Sequence, residues 1–90
     1  MPEQDADKLA RDVGRRIAEI RRAGDLTQQG LATLVQATVQ WVSRVETGKE
    51  NLTLATMAKI ANALDVAVAE FFSMPKTSPQ TVRRGRPRKV

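Results

Sequence analysis

Gln40 and Arg44 stand four residues apart in the run Thr38-Val39-Gln40-Trp41-Val42-Ser43-Arg44-Val45. On a helix that spacing is about one turn, so the two side chains share a face. A Gln amide pairs with N6 and N7 of adenine, and the Arg fork pairs with O6 and N7 of guanine. Val39 and Ser43 fall on the same side. Val39 either touches a thymine methyl or is a plain surface apolar residue. Ser43 reaches a base, a phosphate or nothing. A merely solvated face, where Gln and Arg are common, competes with base readout for the whole group.

The flanking residues decide which side faces out. Leu26 to Lys49 reads LTQQGLATLVQATVQWVSRVETGK, two short amphipathic helices around a tight bend. Thr27 is placed to cap the first and Thr38 the second. Leu31, Ala32, Val35, Val42 and Val45 fall on facing inner sides. Ala32 matters by its size, since a small side chain lets the second helix cross close to the first. Val39, Gln40, Ser43 and Arg44 are then the outward positions of a helix that a helix-turn-helix lays in the DNA major groove.

The stretch resembles the helix-turn-helix of the Cro and phage-repressor (XRE) family. The resemblance rests on Leu26-Thr27-Gln28, Leu31-Ala32, the helix from Thr38 to Val45 and the block Glu46-Thr47-Gly48-Lys49. Gly14-Arg15-Arg16-Ile17 to Arg21 is similar to the family's first helix. Asn51-Leu52-Thr53-Leu54 and Ile60-Ala61-Asn62-Ala63-Leu64 are similar to its fourth. Two departures stand out. Gln36 occupies the bend where the family usually has Gly, which predicts left-handed backbone strain. Gly30 lies mid-helix, at a cost of about 1 kcal/mol against Ala.

The resemblance implies further roles. Gln28 and Lys49 meet the DNA backbone, with Thr27 and Thr38 adding to their capping role there; such contacts orient a protein without reading sequence. Trp41, the single Trp, either bonds a phosphate through its indole N–H or is a half-buried packing residue. Arg21 pairs with Glu46, bracing the recognition helix against the first helix.

The expected architecture is all-α, a five-helix repressor-like helix-turn-helix domain over residues 1–75 and a disordered basic tail over residues 76–90. Helix one runs from about Asp7 to Ala23, with Leu9, Val13, Ile17 and Ile20 as its apolar stripe. Asp5 or Asp7 caps it, and Gly24 suits its left-handed stop, as Gly48 suits that of helix three. Helix four runs from near Thr53 to Leu64, with Leu54, Met57, Ile60, Ala61 and Leu64 inward. A short fifth helix near Ala67 to Ser73 carries Val68, Phe71 and Phe72. Two adjacent aromatics cannot face the same side, so an exposed Phe beside Val68 suggests a dimer seam. A larger core filled by both is the competing arrangement.

The tail contains Arg84-Gly85-Arg86-Pro87, which resembles an AT-hook. In that motif Gly admits the backbone to a narrow AT-rich minor groove, Pro keeps it extended and the arginines meet the negative potential. Arg83 stands where the motif usually has Pro. A generic electrostatic arm is the alternative.

Charge divides the chain. The net charge is +5, from 15 basic and 10 acidic residues, yet Lys76, Arg83, Arg84, Arg86, Arg88 and Lys89 all follow the last acid, Glu70. The first 75 residues then hold nine basic and ten acidic side chains, a net of −1. The sequence pI of about 10.5 therefore reports on the tail. With no Cys and no His, disulfides, thiolate zinc sites and the usual general-base chemistry are excluded. No nucleophile–base set can be assembled, so neither an enzyme nor a cofactor or metal is expected. The acidic start is not a signal peptide. Together these features predict a cytoplasmic, nucleoid-associated transcriptional regulator, with a repressor foremost. Its partners are double-stranded DNA, at a palindromic operator, and a second copy of the chain. The alternatives are an antitoxin with a toxin partner and an architectural protein of AT-rich DNA.

Overall fold

Each α-helix begins where a short polar side chain can accept from the first turn. The computed structural model describes residues 4–75, in which the regular elements are all helical. They are α1 (Ala6–Ala23), α2 (Gln28–Val35), α3 (Val39–Glu46), α4 (Leu54–Leu64) and a 3₁₀ helix (Val68–Phe72). Asp5 accepts from Asp7 N–H at 3.0 Å and from Lys8 N–H at 3.2 Å. Thr27 accepts from Gly30 N–H at 2.9 Å, Thr38 from Trp41 N–H at 3.1 Å and Thr53 from Thr56 N–H at 3.1 Å. Each bond satisfies a donor that the helix itself leaves free.

The four α-helices also end alike. Leu26, Ala37, Lys49 and Val66 donate back to the carbonyls of Arg21, Ala32, Arg44 and Ala61 at 2.8–3.1 Å. This is the Schellman closure, which needs one left-handed residue. That residue is Asp25 (φ 60°), Gln36 (φ 60°), Gly48 (φ 77°) or Asp65 (φ 59°). The bend at Gln36 is left-handed as its sequence position predicts. Gly24 is a correction: its φ is −91°, and the reversal falls one residue later, on Asp25.

The core is built by Val13, Ile17, Leu31, Ala32, Val35, Val42, Val45, Met57, Ile60, Ala61 and Phe71. Two residues expected inward are not. Leu9 is 43% and Leu54 76% exposed: Leu9 lines an open groove rather than the core, and Leu54 opens the first turn of α4. Ile20 and Leu64 sit half-buried against the core. The helix expected after Asp65 is not a fifth α-helix but five residues of 3₁₀ helix, a length at which α-helix nucleation is not recovered. Three residues per turn separate adjacent side chains by about 120°. Phe71 is accordingly fully buried and Phe72 is 58% exposed.

Two contacts set the helix spacing. Gly14 lets α1 rest directly on the last turn of α3: a Cβ there would meet the Val45 carbonyl and come within 2.8 Å of the Glu46 carbonyl oxygen. Arg16 clamps the 3₁₀ helix onto α1, donating to the Glu70 carbonyl at 3.1 Å and its carboxylate at 3.3 Å. On the outer side of α1, the Lys8 ammonium bonds Asp12 at 2.8 Å and holds that carboxyl below its ordinary range.

Candidate nucleic-acid interface

Val42 and Val45 are buried, and this sets the roll of α3. Gln40 and Arg44 are exposed on its far side, with Val39 and Ser43 half-exposed. These four residues form one outward face, bordered by exposed Thr38 and Lys49. Thr27 is exposed at the start of α2, with Gln28 half-buried beside it. Trp41 is half-buried, with its side chain packed against the core.

Beneath this face lies a polar junction. Arg21 and Glu46 form a two-bond fork, Nε to Oε2 at 2.6 Å and Nη2 to Oε1 at 3.0 Å. Their side chains are only 7% and 4% exposed. Arg21 Nη1 also donates to the Leu26 carbonyl at 2.8 Å. Gln28 Nε2 donates to Glu46 Oε1 at 2.9 Å. The junction thus ties the end of α1, the α1–α2 loop, the start of α2 and the end of α3. Every bond is charge-assisted, the kind that keeps strength and direction when water is excluded.

Two side chains expected to be free for DNA are engaged within the protein. Gln28 spends one amide N–H on Glu46, leaving the other for a phosphate. Arg44 donates through Nε to Glu50 Oε2 at 2.7 Å and through Nη2 to the Lys49 carbonyl at 3.1 Å. Glu50 carries no helical period or motif signal, so its contact with Arg44 is not legible before the turn is known. Gly14 was also missed as a packing residue; its signal is a Gly placed mid-helix on the apolar side.

On the remaining candidates, Phe71 is a correction. It is sealed in the core and offers no surface to a dimer seam. Val68 is half-buried against that core. Phe72 borders a shallow groove of about 200 Å³ that Leu9, Val13, Leu52 and Met57 also line. Arg84, Gly85, Arg86 and Pro87 lie outside the described residues. No helix among the described residues is long and apolar enough to cross a membrane. No metal-binding cluster of His, Cys, Asp or Glu occurs among them.

Comparison with known proteins gives a consistent family. The helix-turn-helix domain model matches residues 12–71. An uncharacterised HTH-type transcriptional regulator, y4aM of Sinorhizobium fredii, is 31% identical over 75 residues, 83% of this chain and 52% of that protein. The HTH-type transcriptional regulator PuuR of Escherichia coli is 32% identical over 71 residues, 77% of this chain and 38% of that protein. The chain therefore spans about half the length of these relatives or less. Among solved structures, the restriction-modification controller protein C.AhdI from Aeromonas hydrophila superposes with a TM-score of 0.72 at 35% identity, covering 77% of this chain and 100% of that one. Helix order, cap placement and these matches agree: the chain belongs to the helix-turn-helix domain family, of the Cro and phage-repressor type.

Proposed function

We propose that this protein is a sequence-specific DNA-binding transcriptional regulator that places α3 in the major groove. It acts as a homodimer on a palindromic operator, and as a repressor where that operator overlaps a promoter. One observation carries this reading. α3 is fixed by buried Val42, Val45 and Glu46 while Gln40 and Arg44 stand exposed on its outer face. A rigid helix with base-reading side chains outward is what direct readout requires. Residues 1–75 form the DNA-binding domain and residues 76–90 a basic arm, and the protein works at the nucleoid in the cytoplasm. The relatives named as transcriptional regulators support the same reading.

Selection of bound sequences from a random DNA pool tests it. Arg44→Ala should cost about 1–3 kcal/mol on the preferred site and relax choice at one base pair. Lys49→Ala, at a backbone-contacting position, should weaken all sequences about equally. An unchanged preference profile for Arg44→Ala would show that α3 is not the reading helix.

A further inference from the structure

We infer that Glu50 is a specificity-determining residue that positions Arg44 for guanine. The inference rests on the reading of Arg44 as a base contact. An exposed Arg on a helix has many rotamers, and ordering it on DNA costs affinity for the correct site. Here the side chain is held before any DNA arrives. Its Nε–H meets Glu50 Oε2 at 2.7 Å and one Nη2–H meets the Lys49 carbonyl at 3.1 Å.

The choice of bonds matters. Nε and Nη2 form one edge of the guanidinium plane, and both acceptors lie on that edge. The two N–H groups of Nη1 and the second of Nη2 remain. One Nη1–H and the second Nη2–H make up the end-on edge, which can donate in parallel to O6 and N7 of guanine. Glu50 therefore grips Arg44 from behind and leaves its reading edge open.

The chain reversal supplies the geometry. Gly48, at φ 77°, closes α3 with Lys49 N–H on the Arg44 carbonyl at 2.8 Å. The backbone after the turn thereby returns beside Arg44, bringing both the Lys49 carbonyl and the Glu50 carboxylate into reach. The carboxylate has a second effect. A negative charge beside the recognition face opposes phosphates of any sequence, so it lowers binding to DNA that offers no guanine at the right place.

The test compares sequence preference with non-specific affinity in the full chain. Glu50→Ala removes grip and charge together. It should raise affinity for random-sequence DNA by about two- to threefold. The preference for the base pair that Arg44 reads should fall by about five- to tenfold, the scale of freeing one long side chain. Glu50→Gln keeps an acceptor oxygen at the same reach and should recover part of that preference. The double variant Arg44→Ala/Glu50→Ala should show the profile of Arg44→Ala alone. The inference is overturned if Glu50→Ala leaves the preference intact, or if Glu50→Gln loses as much as Glu50→Ala. An Arg44→Ala profile identical to that of the unsubstituted protein would overturn the base-contact reading as well. A profile changed by Arg44→Ala but not by Glu50→Ala would remove only the positioning role.

Discussion

At the scale of single residues, the junction that holds α3 against α1 and α2 is polar. Arg21, Glu46 and Gln28 meet where α1, α2 and α3 converge, and the two charges are almost wholly out of water. A buried ion pair stabilises little in net terms, because desolvation offsets attraction. It is nonetheless costly to halve. Glu46→Ala would leave the Arg21 guanidinium buried against the Leu26 carbonyl alone. The expected destabilisation is about 3–5 kcal/mol, read by urea unfolding. In a double-mutant cycle Arg21→Met and Glu46→Leu should couple strongly; additive effects would mean that the fork contributes only geometry. Gln28 extends this account toward DNA. Its amide joins the brace to the surface, so a side chain assigned to phosphate also reports on the junction below it.

At the scale of elements, boundaries follow local chemistry and packing does not. Thr27, Thr38 and Thr53 cap as their types predict, since a hydroxyl needs only its own first turn. Leu9 and Leu54 depart from the expected inward positions, because periodicity gives a direction and not which turns a neighbouring element covers. Glu50 was invisible because its partner is reached through a chain reversal rather than a repeat. Gly14 reads as a poor helix former until α3 is laid across it. The helix ends are the clearest case of a rule met with the wrong residue. Of four left-handed positions only Gly48 is Gly. Asp tolerates this conformation through local hydrogen bonding, whereas Gln gains nothing there. Gln36→Gly should therefore stabilise the domain by about 0.5–1 kcal/mol and leave DNA preference unaltered. A neutral or lower midpoint in denaturant would mean that Gln36 is supported by contacts beyond its backbone angles.

At the scale of the whole molecule, two features favour assembly around DNA. Phe72 and Leu9 expose apolar surface beside one groove; we propose that a second copy covers it, and a dimer reading two half-sites one turn of duplex apart needs its recognition helices about 34 Å apart. Phe72→Glu should give folded monomers by sedimentation that bind the operator weakly, because Phe71 alone seals the core. A dimer surviving that change would move the seam elsewhere. Charge is the second feature. Residues 1–75 carry a net of −1, while six basic side chains follow Pro75. We propose that much of the non-specific attraction to phosphate comes from residues 76–90. Deleting residues 76–90 should leave the denaturation midpoint unchanged, since a stretch dominated by Ser, Thr, Pro, Gly and basic residues offers little apolar surface to bury. It should weaken DNA binding and flatten its salt dependence. With about four charges on phosphates, the log–log slope should fall by roughly 3–4. An AT-hook asks for more than charge. Arg86→Ala should then reduce binding to sites with AT-rich flanks far more than to sites with GC-rich flanks, because only a narrow minor groove rewards the fit. Equal losses on both would leave a plain electrostatic arm, and a slope unchanged by the deletion would take the arm out of DNA binding altogether.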